Sequence, residues 1–200
     1  MSERNTLVRS LHDLGLAGWF GGTLMGAVGL NGAANHVSDS TERASVASAG
    51  WARWAPVQIT AIGAHLIGGA GLLVANRERA KHQKGVTGNT TLKLVLTGAG
   101  LAATAYSGYL GGQVAKAGDV PAEGGAKPSA LTPPDVAQAQ QRLRIVQWVI
   151  PAITGVIVVL GAQQGEQQKA GEVTRGLVGK AGTRARTGVL AASAKAKRAA

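Results

Sequence analysis

Residues 56–75 of this chain read PVQITAIGAHLIGGAGLLVA, a run of 20 residues without a formal charge. About twenty predominantly apolar residues allow an α-helix to cross the roughly 30 Å hydrocarbon core of a bilayer. His65 lies about ten residues from either end of the run, which corresponds to roughly 15 Å of helical rise. The run therefore predicts a transmembrane helix with one histidine near the middle of the membrane.

Three further apolar runs are of comparable length and cover residues 14–34, 92–114 and 145–162. Most charged residues fall in the segments between the runs, which is the distribution of a multi-pass membrane protein. The first run follows basic residues, as in a signal peptide, but it is longer than a signal-peptide core, and we interpret it as retained. The sequence thus predicts an all-α integral membrane bundle of four transmembrane helices within residues 1–162.

The positive charges predict the orientation of this bundle. Counted as Lys plus Arg, the amino-terminal segment, the loop of residues 77–93 and the tail of residues 163–200 hold 2, 5 and 8 charges. The connections of residues 35–55 and 115–144 hold 2 and 4. Because cytoplasmic segments are enriched in Lys and Arg, both termini are predicted to lie in the cytoplasm and the bundle in the inner (plasma) membrane. The tail is predicted to be basic and flexible.

The two loops on the opposite side differ in length. Residues 35–50 are rich in serine and alanine and predict a polar loop, followed by Trp51 and Trp54 as anchors at the membrane interface. Residues 115–144 contain four prolines and predict an extended, mobile loop, with a short interfacial helix that begins at Asp135.

Small residues recur every four positions in two of the runs, and this spacing places them on one face of each helix. The first run carries Gly18, Gly22 and Gly26, and the third carries Gly100, Gly108 and Gly112 around Thr104. Small residues let membrane helices approach closely. We therefore expect the first and third helices to pack together through these stripes.

Each predicted helix also carries a polar residue near its centre, namely Thr23, His65, Thr104 and Thr154. A threonine hydroxyl can bond to a carbonyl of its own helix, whereas an ionisable residue inside a membrane suggests function. One interpretation is a neutral His65 hydrogen-bonded to one of these threonines. The other is a haem, metal, proton or ligand site, although His12, His36 and His82 do not match His65 in predicted depth.

Chemistry-bearing patterns are scarce in the sequence. The chain has no cysteine, no acidic residue inside the four runs, and none of the G-x-S-x-G, H-E-x-x-H or Walker motifs. Copper would favour Met or Cys ligands, but Met25 is the only internal methionine. We therefore expect no catalytic residues, no metal site and no resident cofactor.

Two short stretches resemble known membrane families. Leu11 and His12, followed by Trp19, Gly21 and Gly22, resemble the first helix of the copper-resistance D-type membrane domain and related uncharacterised four-helix proteins, and residues 92–94 (LKL) resemble the start of a later helix in that group. Residues 107–112 (SGYLGG) are similar to a widespread predicted membrane protein family of unknown function. The resemblance implies a four-helix membrane protein with a link to copper or redox physiology. Separately, the Gly/Ala-rich, lysine-poor apolar runs are typical of a bacterial protein.

The function that these features predict is that of a non-enzymatic accessory or scaffold subunit of a membrane complex. Its expected partners are the lipid bilayer, anionic lipid bound by the tail through Lys195, Lys197 and Arg198, and other membrane subunits. Nucleic acid is not expected, because the tail has no aromatic residue to stack on bases. The alternative is a membrane protein that handles copper, haem or a small molecule at His65.

Overall fold

The computed structural model describes residues 5–75 and 84–167, and the side chains of residues 5–75 and 88–163. Helices dominate this part of the chain, with one short antiparallel hairpin between the last two. The elements are α1 (Thr6–Met25), a π-helical turn (Gly26–Leu30), α2 (Asn31–Ala34), α3 (Glu42–Ala75), α4 (Lys84–Lys116), β1 (Ala122–Gly124), β2 (Lys127–Pro128) and α5 (Pro134–Gln167).

The chain divides into two compact units, Met1–Val158 and Val159–Ala200. The packing described below belongs to the first unit. In the second unit, the described residues continue α5 as a helix to Gln167. Lys195, Lys197 and Arg198 of the predicted tail lie outside the described residues, as do residues 77–83 of the predicted basic loop.

Two of the described helices, Glu42–Ala75 and Pro134–Gln163, are long and apolar enough to cross a membrane by length and composition. They contain the predicted runs of residues 56–75 and 145–162. An all-helical chain with two candidate membrane-spanning helices is therefore established for the described residues.

The helices extend beyond the apolar runs, so three predictions about the connecting segments are wrong at least in part. The predicted basic loop of residues 77–93 is helical from Lys84 onward. The predicted polar loop of residues 35–50 is helical from Glu42 onward, and the predicted short helix at Asp135 is the first part of the continuous helix α5. Pro134 stands at the first position of α5, where its missing N–H costs no helical bond, and Asp135 follows in the first turn, where a negative charge is favourable.

The start of α3 is set by a small hydrogen-bonded turn. The Asp39 carboxylate accepts bonds from the backbone N–H and the hydroxyl of Thr41, at 2.9 and 2.7 Å, and the Asp39 carbonyl accepts from the Glu42 N–H. The Thr41 hydroxyl and N–H, together with the charge of Arg43, hold the pKa of Asp39 below its ordinary value. Ala44 and Ala47 then bury the inner face of the first turns, which explains why a segment rich in serine and alanine is helical.

The segment between α4 and α5 is also packed, contrary to the predicted mobile loop. Its residues join the ends of α3, α4 and α5 in a buried apolar cluster, which we call the cap core. The cap core consists of Ala44, Leu110, Val114, Ala122, Val136 and Ala139. Arg43, the neighbour of Ala44 in the chain, donates from Nε to the Val37 carbonyl at 2.7 Å. The tight hairpin supplies apolar contacts here that the proline count did not predict.

Large apolar side chains project from the surfaces of α3, α4 and α5 outside this cluster. The strongly exposed ones include Ile59, Ile67, Val74, Leu92, Leu94, Val95, Tyr109, Ile145, Trp148 and Val156. A soluble monomer rarely exposes a contiguous apolar patch of more than a few hundred Å². The middle parts of these helices therefore carry apolar side chains on their exposed faces as well as on their buried faces.

Candidate functional site

The glycine stripe of α1 faces α3, and not α4 as predicted. A Cβ on Gly22 would overlap the ring of Trp54, one on Gly26 would overlap the ring of Trp51, and one on Gly18 would lie 3.1 Å from the Cβ of Ala61. The contact is closest at Gly15, where a Cβ would overlap the backbone of Ala61 and His65. Trp51 and Trp54, predicted as anchors at the membrane interface, therefore direct their rings at the glycines of the neighbouring helix.

The stripe of α4 is used only in part. Gly100 is buried against Trp19, whose ring carbons would lie 3.0 and 3.2 Å from a Cβ at that position. Gly108 and Gly112 have no atom of another described residue within 4 Å of such a Cβ. The predicted close packing of α1 against α4 through all six glycines is therefore wrong, and the two helices meet at Trp19 and Gly100.

Trp19 is fully buried and connects three helices. Its indole Nε1 donates to the Thr104 hydroxyl on α4 at 3.1 Å, and its carbonyl accepts from the Thr23 hydroxyl at 2.8 Å. Its ring meets the His65 ring of α3 edge to face, with 6.1 Å between centroids. A buried indole needs an acceptor for its N–H, and Thr104 supplies it.

His65 is buried where α3 crosses the first turns of α1. Its Nδ1 lies 3.1 Å from the carbonyl oxygen of His12, and the two imidazole rings are in contact with centroids 4.3 Å apart. A carbonyl oxygen only accepts, so Nδ1 of His65 carries the hydrogen and Nε2 of the neutral ring is left as an acceptor. We call His12 and His65 the histidine pair.

The histidine pair corrects the predicted polar layer. His65 lies level with His12 and Gly15 on α1, about two turns away from Thr23, because α1 and α3 are antiparallel and Gly26 meets Trp51 at their other end. His65 bonds to a backbone carbonyl and not to a threonine. The expectation that no other histidine matches its level is wrong, since α1 begins at Thr6 and carries His12 on its inner face.

The three threonines behave as their chemistry suggests. Thr23 and Thr154 return their hydroxyls to carbonyls four residues earlier, those of Trp19 and Ile150, at 2.8 and 2.9 Å. Thr104 instead accepts the bond from Trp19. Each hydroxyl is thereby satisfied within the protein, and Thr23 and Thr154 are buried. Among these residues, Thr104 is the one that links two helices by a side-chain bond.

Charged groups lie close to the histidine pair. Nδ1 of His12 bonds to the Asp13 carboxylate at 2.9 Å, and the His12 side chain is mostly buried while Asp13 is exposed. The charges of Asp13 and Lys93 are near enough to act on His65. With both Nδ1 atoms bonded to oxygen, the remaining polar atoms of the pair are the two Nε2 nitrogens.

A second polar cluster lies where α2 and the cap core meet. The Asn31 amide donates from Nδ2 to the Gln147 carbonyl oxygen, and the Asn31 oxygen accepts from the Trp51 indole at 3.2 Å. Gln140, which is fully buried, donates to the carbonyls of Gly124 and Gly125 at 3.2 and 3.3 Å. These amides join α2, α3, α5 and the hairpin to one another.

No group of three or more His, Asp or Glu side chains is placed to hold a metal ion in the described ranges 5–75 and 84–167. No protein-family model, curated protein or solved structure matches this chain. The resemblance to the copper-resistance D-type domain therefore stays a prediction from short motifs.

Several residues of these clusters escaped prediction from the sequence. Trp19 lies on the same helix face as Gly15 and Gly22, but the sequence does not identify its partners, which come from helices distant in sequence. Asn31 carries no motif that marks it as buried. His12 carried a signal, since Gly15 and Leu16 follow it by three and four residues and both are buried on the same inner face. Recognising that face required knowing that α1 starts before the apolar run.

Proposed function

We propose that this chain is a non-enzymatic membrane protein with four spans and both termini in the cytoplasm, and that it serves as an accessory or scaffold subunit of a membrane complex. The observation that carries the proposal is the exposed apolar surface of α3, α4 and α5. Lipid would cover this surface, since every backbone group inside a helix is already bonded and apolar side chains can face hydrocarbon. The fifteen Lys and Arg residues in the three predicted cytoplasmic segments, residues 1–13, 77–93 and 163–200, support the orientation.

The scaffold role is supported by the way the polar residues are used. The bonds of Trp19, Asn31, Gln140 and Thr104 join helices and hairpin, which is what a rigid framework requires. The cap core adds a packed region at the end of α3 away from the histidine pair. Such a framework would present its exposed helix faces to lipids or to other membrane subunits.

A topology scan tests the proposal, and the absence of native cysteine gives a clean background. Single cysteines at the exposed positions Ser38 and Ala130 should react with a membrane-impermeant maleimide in intact cells, and Ser193→Cys only after permeabilisation. Resistance of the protein to carbonate extraction should accompany this pattern. Extraction into the soluble fraction would reject a membrane protein, and cytoplasmic labelling of Ser38→Cys and Ala130→Cys would reject the orientation.

A second candidate function, the handling of copper, haem or a small molecule at His65, is favoured by one observation. His12 and His65 are in ring contact, and both direct Nδ1 at an oxygen acceptor, the arrangement by which a protein fixes the orientation of a ligating histidine. The test is an absorption spectrum and metal analysis of the purified protein beside His65→Ala. A stoichiometric cofactor that disappears in the variant would support this function, and a cofactor-free wild type would reject it.

A further inference from the structure

One outward face of α5 changes from polar to apolar along its length. The residues on this face recur three or four positions apart and line one side of a wide-open groove of ≈ 640 Å³. The described lining is Gln141, Arg144, Ile145, Trp148, Val149 and Ala152. Residues spaced in this way lie on one side of a helix.

The polar end of the groove carries an uncompensated positive charge. Within the part of the chain that the structure describes, the Arg144 guanidinium makes no hydrogen bond and no ion pair. Arg144 is also the last charged residue before the predicted run of residues 145–162. In a membrane it would therefore lie at the boundary between headgroups and hydrocarbon, where a guanidinium can form charge-assisted hydrogen bonds with a lipid phosphate.

The apolar end of the groove continues directly below this charge. Ile145, Trp148 and Val149 are 68%, 49% and 38% exposed. Trp148 differs from Trp19, Trp51 and Trp54, which pack against other helices, and it keeps the outward position that tryptophan takes at a membrane interface. A ligand that fits the whole face needs an anionic head and an adjoining hydrocarbon chain.

We propose that this face of α5 binds one anionic glycerophospholipid, with the lipid phosphate on Arg144 and Gln141 and an acyl chain along Ile145, Trp148, Val149 and Ala152. The proposal rests on the proposed membrane location and adds a specific lipid site to it. It concerns the part of α5 next to the cap core, and its residues differ from Lys195, Lys197 and Arg198, through which the sequence predicts lipid binding by the tail.

The test compares lipid binding by the full chain purified in detergent, measured by native mass spectrometry with phosphatidylglycerol and phosphatidylcholine of the same acyl chains. The wild type should retain phosphatidylglycerol in preference to phosphatidylcholine. Arg144→Gln should weaken phosphatidylglycerol binding about fivefold, because one charge-assisted hydrogen bond to the phosphate is lost, and Arg144→Lys should keep most of the binding. Trp148→Ala should weaken the binding of both lipids, because both would lose contact between the acyl chain and the indole ring.

Arg142→Gln is the matched control. Arg142 is two residues away, also exposed and without an ion pair among the described residues, but it does not line the groove. Equal losses in Arg142→Gln and Arg144→Gln, equal binding of the two lipids by the wild type, or equally strong binding of soluble glycerol phosphate would each overturn the site. Release of the protein from membranes by carbonate would instead reject the proposed membrane location. Failure of the lipid site can therefore be distinguished from failure of the membrane proposal.

Discussion

Two helical segments of this protein carry glycines at the same four-residue spacing and use them differently. Along α1 and the π-helical turn that follows it, Gly15, Gly18, Gly22 and Gly26 meet the backbone or side chains of α3. On α4, Gly108 and Gly112 meet no other described residue, and of its stripe only Gly100 is packed against a neighbouring helix. The spacing shows that one side of a helix carries no large side chains. Whether another helix packs against that side depends on the size of the side chains that the other helix presents.

The facing residues explain the difference. At the closest points, α3 presents the small residues Ala61 and Gly68 to α1. Farther along, its two tryptophan rings lie over Gly22 and Gly26, so each large side chain faces a glycine. The end of α4 is instead fixed by its opposite face, where Leu110 and Val114 enter the cap core. A helix already fixed by one face does not need its glycine stripe for the fold, and that stripe remains on the surface.

The largest effect should come from exchanging glycine for alanine in the two stripes. Gly15→Ala would place a methyl group into the backbone of α3 and should destabilise the protein by about 3 kcal/mol. Gly112→Ala meets no other described residue and should be neutral or up to about 1 kcal/mol stabilising, because alanine is the better helix former. Unfolding in detergent, followed by circular dichroism, measures both. Equal destabilisation by the two changes would contradict the difference between the stripes.

The opposite face of α4 should be the sensitive one. Leu110→Ala removes a side chain that is 1% exposed in the cap core and should cost about 2 to 3 kcal/mol. Val95→Ala on the same helix is the control, since Val95 is exposed, and it should change stability by less than about 0.5 kcal/mol in the same unfolding measurement. If the control were the more damaging change, the cap core would not be what holds α4.

The bond between Trp19 and Thr104 should contribute less. Trp19→Phe keeps a large ring but loses the N–H donor, and the expected loss is about 1 kcal/mol, as for a typical hydrogen bond between helices. Thr104→Val removes the acceptor, and a double-mutant cycle should return a coupling of about the same size. Trp148→Phe, at an exposed position, serves as the control for the loss of an indole. A coupling near zero would mean that Trp19 acts by packing alone.

The smallest effect should be that of the turn before α3. Asp39→Asn removes a carboxylate whose pKa is lowered by Thr41, chiefly through its hydroxyl. A depressed pKa contributes stability that is present above the ordinary value and lost as the pH falls through the folded value. The wild type should therefore be slightly more stable than the variant near neutral pH. The difference should begin to fall near the ordinary pKa of 3.8 and vanish below the lowered pKa of the folded state. A difference that persists unchanged in acid would point to a role of the side chain other than its charge.

The sequence predicts the helical class because long apolar runs have few alternatives. It does not predict the helix ends well, since Glu42 and Pro134 begin their helices inside segments that are polar or rich in proline. Those segments fold because alanines and a short hairpin bury a small core, which is a tertiary effect without a local period. The four spans and the orientation remain proposals that depend on charge and hydropathy.

Individual residues of the candidate site were predicted from the sequence, but their contacts and their relative levels along the helices were not. His65 was recognised as an unusual residue, yet its level and its partner depend on how far α3 is shifted along α1, and apolar runs do not define that shift. The sequence predicted that His65 lies level with Thr23 because each helix was assumed to be centred on its apolar run. The observed shift follows from the fit of Gly15 and Gly68 against backbone.

The π-helical turn at Gly26–Leu30 has a consequence for how this first helical segment could have evolved and could be edited. Gly26 and Asn31 are five residues apart and both meet Trp51, one through its ring and the other through its indole N–H. An ordinary helix would rotate the fifth residue by about 100° beyond a four-residue stripe. The wide turn thus behaves as a one-residue insertion that rotates the residues after it around the helix axis. Insertion or deletion of a single codon would therefore gain or lose the bond between the side-chain amides of Asn31 in α2 and Gln147 in α5.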